Sequence, residues 1–259
     1  MIRIVKDLYD YREMIISLVK RDLRGKYKAS VLGFLWTFLI PLFQSAVYSF
    51  VFATILKSGI ENFYIFLIVG LFPWNFFSSA VTSGSSCIVN QENLIKKIYF
   101  PRLVLPVAFV TSAFINMLLT FIVVFAILFF SGYGFNFLAI LFLPVVMIIE
   151  YVLSLGLCML SSALTVYFRD LEYILGIIMM AWVYLTPVFY QTEIIPEQYQ
   201  MIFKFNPMTS VIVAYQEILY YKKIPDMMNL LQAVFLGIVV LIVGYLVFNK
   251  IQKRFVEEL

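Results

Sequence analysis

Long uncharged stretches, separated by short charged segments, dominate the hydrophobic pattern of the chain. A helix that crosses a membrane needs about 20 mostly apolar residues. Residues 31–56 and 62–91 carry no charge, nor do residues 103–149, which the turn signal SGYG at 131–134 divides in two. The pattern predicts an all-α, polytopic membrane protein with six transmembrane helices, at about 31–56, 63–86, 104–130, 137–163, 173–191 and 229–248.

The composition supports this fold class and excludes several functions. Hydrophobic residues make up 63% of the 259 residues and charged residues 13%, against roughly 45–50% and about 25% in soluble domains. A chain of this size cannot bury so much apolar surface, so the excess must face membrane lipid. A soluble enzyme, a nucleic-acid-binding module and a disordered chain are therefore excluded.

Positive charge is concentrated on one side of the predicted spans. Fifteen of the 19 lysines and arginines lie on the side of the N-terminus, and four lie on the other side: Lys57, Lys204, Lys222 and Lys223. Because Lys and Arg accumulate in cytoplasmic loops, we expect both termini in the cytoplasm. The net charge of +4 thus reflects membrane topology and indicates no nucleic-acid partner.

The first 28 residues form a separate predicted element. Apolar residues recur there every three or four positions: Ile4, Leu8, Tyr11, Ile15 and Leu18. This spacing predicts an amphipathic helix at the cytoplasmic interface, either a lever between a cytosolic partner and the membrane or a passive anchor. The segment lacks the short apolar core of a signal peptide, so none is expected. The transmembrane domain then covers residues 29–259.

Two segments between spans carry further signals. Residues 90–108 mix charges with apolar residues ahead of Pro101, which predicts a short helix over about 91–99. The segment either docks into a groove of another protein or is an interfacial loop without a partner.

On the outer side, Asn206-Pro207 provides an N-cap and a first-turn proline for a helix to about Tyr221. Its roughly 15 residues would span about 22 Å, which is too short to cross. We therefore predict re-entrant outer helices before the last span, whose ends need protein or a watery cavity around them.

The chain lacks the residues of most catalytic and metal sites. It has no histidine, its Cys87 and Cys158 lie in apolar stretches, and no Gly-rich loop ends in Gly-Lys-Ser/Thr. We expect no catalytic residue, no metal and no ATP hydrolysis by this chain alone. Glu150 is the one ionisable residue inside a predicted span. A single glutamate is thin support for an ion-coupled carrier, and a protonated or hydroxyl-bonded structural glutamate explains it as well.

Polar and aromatic residues follow one face of the first and the fifth predicted span. They are Thr37, Gln44 and Tyr48 beside Pro41, and Tyr184 and Gln191 beside Met180 and Pro187. Aromatic rings stack on the C–H faces of sugars while hydroxyls and amides bond their OH groups. The two faces therefore suit a hydrated conduit, although helix packing explains them equally well.

Six segments, in this order, resemble the type-2 ABC exporter permeases that move polysaccharides and polyol phosphates such as O-antigen, capsule or teichoic acid. The segments are RDLRGKYKASVLGFLWTFLIPL (21–42), GLFPWNFF (70–77), NLIKKIYFPRLVLP (93–106), VYFRDL (166–171), TPVFY (186–190) and NPMTSVIVAYQEIL (206–219). The resemblance covers nearly the whole chain. It implies a multi-pass permease of a bacterial inner or plasma membrane that exports a lipid-linked glycan. The alternative is a type-2 exporter of a small molecule or drug.

The resemblance also implies partners and residue roles. Two permeases would form a homodimer with two separate ABC ATPase subunits, which would bind the ATP and Mg²⁺, and a conduit would lie between the first and fifth spans of the two permeases. ATPase coupling is implied for Lys96, Lys97, Phe100, Pro101, Arg102, Arg169 and Asp170. An outer gate is implied for Pro196, Asn206 and Pro207.

Overall fold

The computed structural model describes residues 2–25 and 32–258, and within these ranges it is helical with no β-strand. We number its α-helices α1 to α13: Ile2–Asp10, Arg12–Gly25, Trp36–Ser49, Phe63–Ser85, Glu92–Lys97, Val104–Phe130, Phe137–Ile140, Leu143–Thr165, Leu171–Trp182, Glu197–Phe205, Pro207–Leu219, Met227–Ile251 and Phe255–Glu258. A π-helical turn, Phe50–Ile55, extends α3, and 3₁₀ turns lie at Gly33–Leu35, Val89–Gln91, Val183–Leu185, Thr192–Ile194 and Gln252–Arg254.

Five helical stretches are long and apolar enough to cross a membrane: Trp36–Ile55, Phe63–Ser85, Val104–Phe130, Phe137–Thr165 and Met227–Arg254. The predicted all-α polytopic fold is thereby confirmed. The apolar helix at the place of the predicted fifth span, Leu171–Leu185, is shorter. Its 15 residues rise about 22 Å, and residues 186–191 continue irregularly. The count of six crossings and the division at residue 28 stay predictions.

Helix α4 lies at the centre of the helices. Its first half, residues 63–74, is apolar on all sides, and a helical segment of that kind is stable when other helices surround it. Helices α3, α6, α8, α9 and α11 pack around it, and most of its residues are buried. Helix α3, by contrast, is almost entirely unburied and touches mainly α4 and α6.

Helices α8 and α12 cross at two glycines. A Cβ atom on Gly156 would lie 2.7 Å from the Cα of Leu241, and one on Gly244 would meet the carbonyl oxygen of Gly156. Small residues let membrane helices approach until their backbones touch, which maximises van der Waals contact where lipid offers no hydrophobic driving force. The crossing therefore depends on the absence of both side chains.

The N-terminal segment forms two helices that pack on the transmembrane core. Leu8, Tyr11, Ile15 and Leu18 are partly buried against it, as their spacing predicts. The Ser112 hydroxyl on α6 donates a hydrogen bond to the Asp22 carboxylate on α2, so α2 is fixed to α6 by a polar contact as well. The side chain of Ile4 and residues 26–28 of the predicted helix lie outside the described residues.

Three loops meet at the end of the fold that is opposite to α5. Tyr220 Oη donates to the carbonyl oxygen of Glu61 at 2.6 Å, and Tyr133 Oη donates to the carbonyl oxygen of Tyr220 at 2.8 Å. Asn136 Nδ2 donates to the carbonyl oxygen of Lys222 at 3.2 Å. Burial raises the pKa of Tyr220 to about 12, so its hydroxyl stays a donor at neutral pH. Tyrosines thus join loops that are far apart in the sequence.

Replacing Gly244 by valine should destabilise the protein, because the new side chain would clash with the Gly156 carbonyl. Overpacking of this kind costs about 1–3 kcal/mol, which a lower melting temperature of the detergent-solubilised protein would report. The matched control is Gly176→Ala on α9, where an added Cβ meets nothing within 4 Å. A Gly244→Val variant that melts with the wild type would contradict the close crossing.

Candidate functional site

Helix α5 and the loop after it present charge and apolar side chains at one end of the fold. Lys96 Nζ lies 2.7 Å from Glu92 Oε1, one turn earlier. The hydrogen bond from Lys96, and then its charge, lower the pKa of the Glu92 carboxyl, with a smaller contribution from the charge of Arg169. The turn containing Arg169 and Asp170 follows α8, which packs on α6 and returns to the end of the fold that carries α5. Both of these residues are exposed.

The residues implied in ATPase coupling divide into an exposed and a buried group. Lys96 and Lys97 are exposed, whereas Phe100 is only 3% exposed and packs in the core. Pro101 and Arg102 are half-buried. Phe100 can therefore hold the loop in place but does not face outward.

Three apolar side chains of the same surface point outward: Ile98 and Tyr99, which belong to the predicted docking segment, and Phe168, which had no predicted role. Tyr99 is 88% exposed. A signal was present in the sequence, because these residues directly adjoin the coupling residues. The surface that a partner would meet is therefore partly apolar as well as charged.

The two predicted conduit tyrosines meet through a third aromatic ring. The rings of Tyr48 and Phe189 make an edge contact at 5.1 Å between centroids, and those of Tyr184 and Phe189 lie 5.6 Å apart. Phe52 stacks on the same ring at 5.0 Å. Phe189, which had no predicted role, thus joins α3 and its π-helical extension to the 3₁₀ turn after α9, in an aromatic cluster of Tyr48, Phe52, Tyr184 and Phe189.

Gln191 lies apart from this cluster. The helix that carries Tyr184 ends at Leu185, so the helical spacing that would align Gln191 with Tyr184 does not continue. Gln191 Nε2 instead donates to Tyr221 Oη at 2.9 Å. The role of Gln191 in a conduit stays a prediction, and its hydrogen-bond partner lies in the loop that follows α11.

Thr37 and Gln44 line a second feature, a cleft of about 490 Å³ between α3, α4 and α6, which we call the inner cleft. Gln44 Oε1 accepts a hydrogen bond from Asn75 Nδ2 at 3.1 Å. The polar residues that α4 and α6 contribute had no predicted role: Asn75, Ser78, Ser79, Thr82, Ser83, Asn116 and Thr120. Those of α4 follow the spacing i, i+3, i+4, i+7, i+8, a helical stripe that sequence reasoning could have found.

The predicted gate residues lie where α9, α10 and α11 approach one another. Asn206 Oδ1 caps α11 by accepting from the Met208 amide, as the Asn206-Pro207 pair predicts. Asn206 Nδ2 donates to Thr186 Oγ1 and to the Leu185 carbonyl, each at 2.9 Å. Pro196, at the start of α10, is exposed. Asn206 therefore ties the end of α9 to the start of α11.

Glu150 connects α8 to α11 in the interior. Tyr215 Oη donates to Glu150 Oε2 at 2.6 Å, and both side chains are fully buried. The other carboxyl oxygen, Oε1, has no hydrogen-bond partner. No group of three or more potential metal ligands occurs among the described residues. Glu150 therefore has a visible structural partner, the hydroxyl that sequence reasoning offered as one alternative.

A sequence-family model described as ABC-2 type transporter matches residues 13–220. The chain belongs to the ABC-2 type transporter family. It is 35% identical over 261 residues to the O-antigen export system permease protein RfbA of Myxococcus xanthus. That alignment covers 100% of this chain and 100% of the relative. Two proteins of that name from Klebsiella pneumoniae are each 32% identical and cover 95% of this chain and of their own.

We expect Tyr215→Phe to destabilise this ABC-2 transporter, because it leaves the Glu150 carboxyl buried without its donor. Adding Glu150→Leu should restore part of the loss, since the variant then has no polar group to satisfy. Coupling energies of hydrogen bonds between helices, measured by double-mutant cycles in a membrane protein, average about 0.6 kcal/mol and reach about 1.7 kcal/mol. Thermal unfolding in detergent resolves differences of this size.

The control is Tyr173→Phe, which removes a hydroxyl from an exposed tyrosine on α9 and should have no effect. Strictly additive losses for Tyr215→Phe and Glu150→Leu would show that the two side chains are not coupled.

Proposed function

We propose that this chain is the membrane permease subunit of an ATP-driven exporter that moves a lipid-linked, O-antigen-type polysaccharide across the bacterial inner membrane. The observation that carries the proposal is the full-length similarity to relatives named for O-antigen export. Capsule and teichoic acid export, which the sequence resemblance included, stay predictions. Small-molecule export is not favoured, because the relatives that cover the whole chain are named for O-antigen export.

In this proposal a partner subunit would hydrolyse the ATP. The chain has no phosphate-binding loop, so two ABC ATPase subunits would bind the ATP and Mg²⁺. Support for their docking comes from the exposed Lys96, Lys97, Arg169 and Asp170, which lie at one end of the fold next to the apolar Tyr99. This arrangement suits a partner surface that is partly acidic and partly apolar. The excess of Lys and Arg at this end supports a cytoplasmic orientation for it.

The conduit would lie between two copies of the chain. Large apolar side chains of α3 and α9 are exposed, among them Phe43, Val47, Ile177 and Met180. The aromatic cluster lies between these two helices. Ring faces in this cluster suit the C–H faces of sugars, while a polymer of sugars needs hydrogen-bonding groups wherever it leaves water. A homodimer would place two such clusters beside one path.

The proposal is tested by reconstitution. Purified permease alone should hydrolyse no ATP, and in proteoliposomes with its ATPase subunit it should translocate a lipid-linked O-polysaccharide only when ATP is added. Hydrolysis that survives rigorous removal of any co-purifying ATPase would contradict the assignment, as would ATP-driven export of a small molecule in place of the polymer.

Reversing two charges tests the docking surface. The double variant Lys96→Glu, Lys97→Glu should insert normally but bind the ATPase subunit roughly tenfold more weakly or worse, because like charges opposed across an interface cost several kcal/mol. Co-purification with the ATPase and ATP-dependent export are the measurements. Lys57→Glu, the same change on an exposed residue at the opposite end, is the control. Normal assembly of the double variant would show that this surface does not dock the ATPase.

Removing rings tests the conduit. Tyr48→Ala and Tyr184→Ala should each lower the export rate roughly two- to tenfold, if ring stacking contributes about 0.5–1.5 kcal/mol, while ATPase assembly persists. Tyr48→Phe and Tyr184→Phe keep the rings and are the matched controls. Equal loss in the alanine and phenylalanine variants would attribute the effect to the hydroxyls, and no loss in either would place the conduit elsewhere.

A further inference from the structure

A polar groove lies between α10, α11 and α12, and we call it the α10–α12 groove. Its volume is about 280 Å³, just below the range of most small-molecule sites, roughly 300–1,000 Å³. Its lining includes one carboxylate, one ammonium group and three amides, which belong to Glu193, Lys204, Gln200, Asn229 and Gln232. The groove is therefore small, and it suits a polar group that carries charge.

Two opposite charges line the groove without pairing with each other. Glu193 and Lys204 are both exposed. Among the residues that the structure describes, the ion pairs involve Arg12 and Lys96, and neither Glu193 nor Lys204 takes part in one. The Glu193 carboxylate accepts a hydrogen bond of 3.4 Å from the Thr192 hydroxyl, which is longer than the usual 2.5–3.0 Å of such bonds. Both charges are thus available to a bound molecule.

Neutral amides surround these two charges. Gln200 is exposed on α10, whereas Asn229 and Gln232 are half-buried on α12. Gln232 Nε2 donates a hydrogen bond to the backbone carbonyl oxygen of Lys204, so α12 holds the last turn of α10 beside the groove. Side-chain amides bring oxygen atoms that accept hydrogen bonds. Together with the Glu193 carboxylate, they suit a cationic group that donates several hydrogen bonds.

The groove adjoins an apolar stripe on α12. Large apolar side chains on one face of this helix are exposed at intervals of three or four residues: Met228, Leu231, Phe235, Ile238, Ile242 and Leu246. The stripe rises about 27 Å at 1.5 Å per residue, close to the thickness of the hydrocarbon core, about 30 Å. Asn229 and Gln232 lie beside its first turn. The groove therefore lies where a lipid places its headgroup when its acyl chains pack on the stripe.

The charges select one class of headgroup. An anionic lipid would bring negative charge to Glu193 as well as to Lys204, and a sugar would leave both charges without a partner. A choline group has no N–H donor and is bound by aromatic cages, whereas Phe203 is the only aromatic residue among the described residues that line the groove. An ethanolamine headgroup offers three N–H donors to the carboxylate and the amides, and its phosphate suits the ammonium group of Lys204.

We propose that the α10–α12 groove binds the headgroup of a phosphatidylethanolamine molecule, with Lys204 on the phosphate and Glu193 on the ammonium group. The bound headgroup would connect the turn before α10 to the last turn of that helix. None of the described residues that line the groove belongs to α3 or α9, the helices to which the proposed homodimer contact is assigned. The site does not depend on which molecule the transporter exports.

The test measures lipid binding to the full-length permease in detergent. Native mass spectrometry gives the affinity for dioleoyl phosphatidylethanolamine, and for the phosphatidylcholine and phosphatidylglycerol with the same acyl chains. We expect phosphatidylethanolamine to bind roughly tenfold more tightly than either, a difference of about 1.4 kcal/mol. It should also raise the melting temperature more than the other two lipids, because a ligand that binds the folded state stabilises it.

Two variants separate the two contacts. Lys204→Met should weaken phosphatidylethanolamine and phosphatidylcholine alike, because both lipids carry a phosphate. Glu193→Gln should lower the affinity for phosphatidylethanolamine to that for phosphatidylcholine, because the ammonium group loses its anionic partner. Lys57→Met and Glu197→Gln remove exposed charges outside the groove and are the matched controls, which should keep the preference. All four side chains are exposed, so the melting temperature without added lipid should not change.

Four outcomes would overturn the proposal. Equal affinity of the wild type for phosphatidylethanolamine and phosphatidylcholine would exclude an ammonium site, and tighter binding of phosphatidylglycerol would indicate an anion site. Binding that neither variant weakens would place the lipid elsewhere on the helices, and displacement of the lipid by maltotriose would indicate a sugar site. The measurement needs neither ATP nor an ATPase subunit, so its failure would leave the proposed export function standing.

Discussion

The membrane interior offers no water to polar groups, so every interruption of a helix must find its hydrogen bonds within the protein. The segment after α9 shows how this chain meets that constraint. Its backbone leaves helical geometry after Leu185, and Gln216 Nε2 donates to the Pro187 carbonyl at 2.7 Å. Asn206 Nδ2 donates a hydrogen bond to the Leu185 carbonyl. The cap of α11 and a residue within this helix thus supply hydrogen-bond donors to two carbonyls at the irregular stretch.

Helix α11 is consequently the junction of the half of the fold that lies away from α5. Its Tyr215 is bonded to Glu150 on α8, its Gln216 to the bend at Pro187, and its capping Asn206 to the end of α9. A displacement of α11 would change all three contacts together. The 3₁₀ turn after α9, which carries Tyr184 of the aromatic cluster, is therefore connected to the core of the protein through a few hydrogen bonds.

The polar chemistry of the chain is divided into three zones along the helices. Charged and apolar groups are exposed at the α5 end, neutral amides and hydroxyls line the inner cleft, and aromatic rings meet around Phe189. Each zone suits a different contact: a protein partner, hydroxyl groups, and the flat faces of rings. This succession agrees with a protein that passes a hydroxyl-rich polymer from one end of its helices to the other.

The sequence by itself determined most of the helices, because uncharged runs, the SGYG turn and the Asn206-Pro207 cap act locally, but it did not show that the fifth predicted span ends at Leu185. It also identified Tyr48 and Tyr184 as members of the two helix faces that are predicted to line a conduit. Only the tertiary structure decided that Phe189 joins them, that Thr37 and Gln44 face α4 and α6, and that Asn116 is buried without a partner. The physical reason is that periodicity fixes which side chains share a face, whereas the neighbour of that face depends on how helices distant in sequence pack.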